Sequence, residues 1–280
     1  MKYIFLNLKR FDIPPQKGGV NRLAPMKDWA KTIINGADAK LCEYSKDDVK
    51  FAMYFPEAHL INACEAKCEN SNIQIGSQSV YRADTAVGGN FGAFTTNRTA
   101  NAIVEMGCES TIIGHCEERN DKAGILAEVG VVDTKAVNRL LNQEILQAQN
   151  AGINVLYCIG EKSEEQDNWQ EVLGEQLEIG LKDVDLSNVC IAYEPIWSIG
   201  PGKTPAGKDY ITKIAKFVKE KIGNVPVVYG GGLKQDNAEM LASIEEIDGG
   251  LIALTRFQGE IGFYPEEYLE IINLYLKGEK

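Results

Sequence analysis

Histidine is scarce in this chain of 280 residues, which contains only His59 and His115. There are seven cysteines, an odd number, and Cys64 and Cys68 are spaced to share one face of a helix. Two histidines do not supply a second pair of zinc ligands here. We therefore expect packing cysteines, reduced in the cytoplasm, and no metal ion.

Positive charge and long apolar runs are also in short supply. The 29 Lys and Arg residues are outnumbered by 40 Asp and Glu residues, for a formal net charge of −11. This balance opposes non-specific binding to nucleic acid, but one lysine can still attract a small anion. No apolar run approaches the roughly 20 residues of a membrane helix, and residues 3–6 are too short a run for a signal peptide. We expect neither nucleic acid nor a membrane as a partner.

Short apolar segments alternate with longer helical patterns along the chain, and no linker divides it, which predicts one domain over residues 1–280. Eight strands, each followed by a helix, indicate a parallel sheet with helical crossovers. A doubly wound sheet has the same rhythm, so this pattern alone leaves open sheet and closed barrel as alternatives. The predicted strands cover residues 3–6, 49–54, 73–76, 111–113, 155–158, 189–193, 225–229 and 250–253, and helical patterns include residues 134–151, 164–181, 210–222 and 265–276.

The most informative segment is residues 191–204, with the sequence IAYEPIWSIGPGKT. A buried strand delivers Glu194 to its carboxyl end, and a stiff Pro195-Ile196-Trp197 run is followed by glycines that allow a loop to hinge. Together with Asn7-Leu8-Lys9, residues 114–117 (GHCE), residues 158–161 (CIGE) and Tyr229-Gly230-Gly231, the segment resembles the triosephosphate isomerase family. The matches keep the family's order and span nearly the whole chain.

The resemblance implies a (β/α)₈ TIM barrel and an aldose–ketose isomerase of glycolysis and gluconeogenesis. Dihydroxyacetone phosphate and glyceraldehyde 3-phosphate are the expected pair, interconverted through an enediolate without a cofactor. Glu194 is expected to remove the proton from carbon, His115 to polarise the carbonyl, and Lys9 to stabilise negative charge. Glu117 and Cys158 match supporting positions, with packing as a competing interpretation. Because Asn7 and Lys9 are two residues apart, we expect both on one face of a strand, directed at the substrate.

Further expectations concern the hinged loop after Glu194, which the resemblance implies is a lid over the substrate. Gly200 matches a glycine whose N–H binds the substrate phosphate when the lid closes, Ile199 belongs to the lid that excludes water, and Tyr229 matches the tyrosine that latches it. His59 is assigned no role.

The phosphate-binding part departs from the family pattern. Gly232 stands where the family has a serine, and Ala253 and Leu254 stand where it has two consecutive glycines, although all three remain the expected substrate-binding positions. Cβ atoms at the glycine pair obstruct the approach of backbone N–H groups to phosphate. Either Arg256 or Thr255 replaces the lost donors, or the pocket serves a different sugar phosphate, such as a tetrose phosphate. A non-catalytic sugar-phosphate-binding protein is a more distant alternative.

Two loops are long for βα connections, residues 10–25 after the first strand and residues 81–96 after the third. In the resembled family the third loop reaches into the partner subunit beside its first loop. The resemblance therefore implies a homodimer, and we expect these two enlarged loops to remodel its interface.

Overall fold

The computed structural model describes residues 1–199 and 203–278. Its strands are all parallel and pair in sequence order, with β1 closing onto β8, which selects the closed barrel over the open sheet. No helix in these two ranges is long and apolar enough to cross a membrane. The strands are β1 (Lys2–Asn7), β2 (Val49–Phe55), β3 (Ile73–Gln78), β4 (Ser110–Ile113), β5 (Asn154–Ile159), β6 (Val189–Tyr193), β7 (Val227–Tyr229) and β8 (Gly249–Ile252).

Helices cover the outside of the barrel, each crossover returning the chain to the next parallel strand. The connection between β4 and β5 contains two helices, and the first of them begins at Cys116, three residues after β4 ends at Ile113. The α-helices are α1 (Met26–Leu41), α2 (Leu60–Ala66), α3 (Ala100–Glu105), α4 (Cys116–Glu128), α5 (Thr134–Asn150), α6 (Trp169–Gly180), α7 (Lys208–Ile222), α8 (Ala238–Ala242) and α9 (Pro265–Lys277).

Strand side chains alternate between the barrel interior and the layer under the helices. On β5, Leu156 and Cys158 join the interior cluster, whereas Val155, Tyr157 and Ile159 pack under the helices. This period of two follows from the pleat of a strand. It places Cys158 inside the barrel, fully buried, where burial raises the pKa of its thiol. Packing therefore accounts for Cys158.

The helices form where apolar residues recur at helical spacing behind a cap. Helix α5 begins after Asp133, whose carboxylate accepts from the Ala136 N–H at 2.8 Å. Its buried residues include Val137, Leu141 and Ile145, which lie four residues apart on one face. The cap satisfies an otherwise unpaired N–H, and the apolar stripe packs on the barrel.

The structure revises several predicted boundaries. Strand β7 begins at Val227 rather than residue 225, because Pro226 has no N–H to contribute to the ladder. The helical pattern over residues 164–181 divides into a 3₁₀ helix, Ser163–Asn168, followed by α6.

The long first loop, residues 8–25, is fixed by buried polar contacts. Asp12 is fully buried, and its carboxylate lies 3.0 Å from His59 Nε2 and 2.8 Å from an Arg10 guanidinium nitrogen. At its far end, Arg22 donates to the carbonyl of Ile261 in the loop after β8 at 2.8 Å. Arg22 thus links the first loop to the loop after β8. His59, for which no role was predicted, holds the first loop in place through its contact with Asp12.

Candidate active site

The predicted catalytic side chains converge at the carboxyl ends of the strands. His115 Nε2 lies 3.1 Å from Glu194 Oε1, although the two residues come from different loops. Lys9 and His115 line one cavity of about 110 Å³ with Asn7 and Glu117. A larger cavity of about 430 Å³ between α4 and α6 is lined by none of the predicted catalytic residues. The small cavity at the barrel mouth, rather than the larger one, therefore contains two of the predicted catalytic residues.

The hydrogen bonds of His115 define its tautomer. His115 is the N-cap of α4, and its Nδ1 accepts from the Glu117 N–H at 3.2 Å. An acceptor nitrogen carries no proton, so in the neutral ring Nε2 carries it and donates to Glu194. His115 is thus arranged as a neutral N–H donor aimed at the carboxylate.

Glu194 is a buried carboxylate next to two donors. Glu194 is 2% exposed, and its Oε2 accepts a hydrogen bond from the Cys116 N–H at 2.9 Å. Burial raises the pKa of Glu194, opposed by the neighbouring His115, the Lys9 ammonium and the Cys116 N–H. A raised pKa makes a carboxylate a stronger base, while the donors stabilise its ionised form.

Lys9 reaches the site by a route that differs from the prediction. Strand β1 ends at Asn7, so the expectation that Asn7 and Lys9 share one strand face is wrong. Lys9 has a φ of 39°, and Asn7 Oδ1 holds this left-handed turn by accepting from the Lys9 N–H at 3.1 Å. The Lys9 ammonium lies 2.7 Å from Glu117 Oε1. Partial desolvation raises the pKa of the exposed Glu117 carboxyl, but the hydrogen bond and charge of Lys9 outweigh it and lower the pKa. The ion pair holds the ammonium at the cavity.

The buried carboxylate of Glu161 holds the turn that precedes the predicted lid. Glu161 Oε1 accepts from Tyr193 at 2.9 Å, from the Trp197 indole at 2.7 Å and from Tyr210 at 3.1 Å. Burial raises the pKa of Glu161, and the three donors oppose that shift. Trp197 lies in the 3₁₀ turn Ile196–Ser198, directly before the lid.

The predicted lid residues fall on both sides of the undescribed segment. Burial raises the pKa of Tyr229, opposed by Ser198 and the backbone of Ala206, which come before and after the predicted lid. This position agrees with a latch. Ile199 is half-buried and follows the hinge turn. Gly200 lies outside the described residues, so its predicted N–H donation stays a prediction.

A second charged cluster behind His115 escaped the sequence analysis. Glu118 accepts from the Gly114 N–H at 2.6 Å, from Lys122 at 2.9 Å and from the Ser79 hydroxyl. Lys122 also lies 3.0 Å from Glu144. Gly114 has a φ of 79°, and a Cβ there would lie 2.8 Å from the Cys158 carbonyl. Glu118 thus fixes the glycine that turns the chain into His115.

The predicted phosphate-binding end is built differently. Gly232 has a φ of 99°, and Ala253 and Leu254 are half-buried just beyond the end of β8. Arg256 donates through Nε at 2.7 Å and Nη2 at 2.5 Å to Glu267 of α9, and the Thr255 hydroxyl donates to the same carboxyl group at 2.9 Å. Both side chains therefore hold the eighth loop to α9. Because Arg256 and Thr255 are both engaged with Glu267, the geometry argues against either side chain as a replacement for the lost phosphate donors. It favours a pocket of altered shape.

Together, these features place a buried carboxylate and an imidazole at the mouth of a closed parallel barrel, an arrangement suited to an enzyme that transfers protons. The family model described as triosephosphate isomerase matches residues 26–274. The triosephosphate isomerase of Lawsonia intracellularis is 31% identical over 218 residues, covering 74% of this chain and 79% of the relative. That of Leptospira interrogans serovar copenhageni is 31% identical over 230 residues, covering 76% and 83%. The chain belongs to the triosephosphate isomerase family.

A solved structure agrees in fold. The crystal structure of triosephosphate isomerase from Bartonella henselae superimposes with a TM-score of 0.71 at 22% identity, covering 98% of this chain and 99% of that one. Because the identity is low, this likeness supports the barrel alone.

Proposed function

We propose that the chain interconverts dihydroxyacetone phosphate and glyceraldehyde 3-phosphate. The single observation that carries this proposal is the 3.1 Å contact between His115 Nε2 and Glu194 Oε1. It pairs a base for a carbon-bound proton with a donor for the adjacent oxygen, the two groups that an aldose–ketose isomerisation requires. The family membership favours triose phosphates over the tetrose phosphate alternative.

The steps follow from the positions of these groups. Glu194 removes a proton from C1 of dihydroxyacetone phosphate, and negative charge develops on the C2 oxygen. The His115 Nε2–H donates to that oxygen, and the Lys9 ammonium exchanges Glu117 for the substrate. His115 then carries protons between the two oxygens of the enediol. Protonated Glu194 returns its proton to C2, which completes the isomerisation with no net gain or loss of atoms.

A coupled assay with purified enzyme tests this proposal. We expect kcat/KM for glyceraldehyde 3-phosphate to exceed that for a tetrose phosphate. A higher value for the tetrose phosphate would reject triose phosphate as the substrate. Absence of turnover with both, alongside retained binding of a phosphate-bearing inhibitor, would instead support a binding protein.

We also propose that two copies form a homodimer through the loop after β3. Val87 and Phe91, near the tip of this loop, are 109% and 92% exposed, which is unusual for large apolar side chains. A partner subunit that covers them would remove this apolar surface from water.

Sedimentation at nanomolar concentration tests the dimer. Deleting residues 86–90, or replacing both Val87 and Phe91 with Ser, is expected to shift the chain towards the monomer. Val132 is 94% exposed beyond α4, outside this loop, so Val132→Ser is the matched control. Retention of the dimer in the loop variants would count against this interface.

We place the protein in the cytoplasm. The seven cysteines are free thiols, and Cys68 is exposed, which suits a reducing compartment. Recovery of the native protein in a secreted or membrane fraction would contradict this assignment.

A further inference from the structure

The end of α1 and the segment before β3 bring two thiols and a carboxylate together, far from the catalytic residues in sequence. Asp38 lies in the last turn of α1, Cys42 is the C-cap of that helix four residues later, and Cys68 follows α2. The two sulfur atoms are 3.4 Å apart, and Cys42 Sγ is 3.7 Å from Asp38 Oδ1. One ligand atom from each residue lies within 4.8 Å of the other two.

We propose that Asp38, Cys42 and Cys68 form a binding site for a thiophilic divalent cation such as Zn²⁺. From its spacing in the sequence, Cys68 pairs with Cys64, and no zinc site is expected for that pair. In the folded chain Cys68 instead faces Cys42, which is 26 positions away, so the relevant pairing is set by tertiary structure.

The distances suit a tetrahedral ion. With zinc–sulfur bonds of about 2.3 Å and a zinc–oxygen bond of about 2.0 Å, tetrahedral angles separate two sulfurs by about 3.8 Å and a sulfur from an oxygen by about 3.5 Å. The separations of 3.4 Å and 3.7 Å each require a shift of only a few tenths of an ångström. A disulfide bond of about 2.05 Å would require the sulfurs to approach by more than 1 Å. The geometry therefore favours a shared cation over a disulfide.

The third ligand is already oriented. Asp38 is 4% exposed, and its Oδ2 accepts from the Cys68 N–H at 2.7 Å while its Oδ1 accepts from the Ser71 hydroxyl at 2.7 Å. Within residues 1–199 and 203–278, the hydrogen-bond partners of this carboxylate are neutral groups. A divalent cation would compensate its buried charge, and the two hydrogen bonds would act as outer-shell contacts that fix a ligand.

A fourth position is also accessible. The Asn70 carbonyl oxygen lies 3.6 Å from Cys42 Sγ, and Cys68 is exposed on the other side. Either this carbonyl or a water molecule completes the coordination. The site joins the end of α1 to the segment before β3. It lies at the face of the barrel opposite the loops that follow the strands, and residues at that face contribute to stability. Bound cation should therefore stabilise the fold and leave turnover unchanged.

Titration of the reduced enzyme with Cd²⁺ and Zn²⁺ tests the site. We expect one equivalent of Cd²⁺ to produce thiolate-to-metal charge-transfer absorption. We expect excess Zn²⁺, at about a hundred times its Kd, to raise Tm by about 5 °C while kcat stays within twofold. Cys68→Ser should abolish both signals. Because Cys68 is exposed, this substitution should not impair folding. Ser71→Ala should weaken binding by about tenfold, since it removes an outer-shell contact.

Cys64→Ser is the matched control, because Cys64 lies on α2, four residues before Cys68, and outside the site. It should retain both signals. The proposal fails if Cd²⁺ absorption and the Tm rise persist in Cys68→Ser, or if Cys64→Ser removes them as well. It also fails if the reduced enzyme shows no absorption change while hydrogen peroxide readily forms a Cys42–Cys68 disulfide.

Discussion

The two sides of the barrel mouth have diverged to different degrees from the family pattern. On the side of β4 and β6, His115 and Glu194 are buried and fixed by backbone N–H groups at 3.2 Å and 2.9 Å. On the side of β7 and β8, Gly232, Ala253 and Leu254 occupy positions where the family has a serine and two glycines. The predicted proton-transfer groups therefore keep the family pattern, whereas the predicted phosphate-binding positions depart from it.

This difference separates chemistry from recognition. Interactions made only in the transition state govern kcat, whereas uniform binding of a remote phosphate governs KM. Substitutions on the β4–β6 side should mainly change kcat, and substitutions on the β7–β8 side should mainly change KM.

His115→Gln should lower kcat by about 10²- to 10³-fold with little change in KM, because a glutamine amide cannot shuttle protons. Steady-state kinetics in both directions measure this loss. Cys116→Ser is the matched control, since it keeps the backbone N–H that binds Glu194 and should remain within a few-fold of the unmodified enzyme. A loss confined to KM would contradict a catalytic role for His115.

Replacing Ala253 and Leu254 together with glycine should lower KM for glyceraldehyde 3-phosphate by about tenfold, with kcat within twofold. Removing two Cβ atoms lets backbone N–H groups approach the phosphate more closely. Initial-rate measurements with triose and tetrose phosphates show whether the gain is specific. An unchanged KM would mean that these positions do not limit phosphate binding.

Arg256→Ala should leave KM within about twofold and lower Tm by only a degree or two. The guanidinium is bound to Glu267 and its side chain is 39% exposed, so the lost ion pair contributes little. Thermal unfolding and kinetics on the same preparation measure both quantities. A large rise in KM would restore Arg256 as a phosphate ligand and reject its structural role.

Glu144→Gln should remove a pH dependence of stability. Burial raises the pKa of Glu144 to about 8, with a contribution from Glu118. The folded state then retains a proton that the unfolded chain loses above about pH 4.3, so stability falls as the pH rises towards 8. Tm of Glu144→Gln relative to the unmodified enzyme should therefore increase between about pH 5 and about pH 9.

The exposed Glu164→Gln provides the control for that measurement, since its change in Tm should not vary with pH. A difference in Tm between Glu144→Gln and the unmodified enzyme that stays constant across the range would show that Glu144 ionises normally.

The sequence was sufficient for features encoded locally. Apolar strand segments predicted all eight strands, and the residues flanking Glu194 and His115 carried enough pattern to identify them as candidates. Lys9 was predicted for the wrong geometric reason, because nothing local reveals that β1 ends at Asn7 and that Lys9 adopts a left-handed turn.

Features that depend on distant loops were missed. Glu118 contacts Ser79 from another loop, and Arg256 turns to Glu267 rather than towards the site. A surface-compatible glutamate or arginine looks the same in sequence whether it faces solvent or a buried partner. Side-chain direction in long loops is set by tertiary packing, which residue spacing does not report.

Hydrogen exchange at carbon tests the central claim most directly. Enzyme incubated with dihydroxyacetone phosphate in D₂O should incorporate deuterium at C1, as detected by NMR. The same amount of Glu194→Gln should do so at least about a thousandfold more slowly, because the neutral amide cannot accept the proton. Equal exchange in the two enzymes would show that another group removes the proton, and would contradict Glu194 as the base.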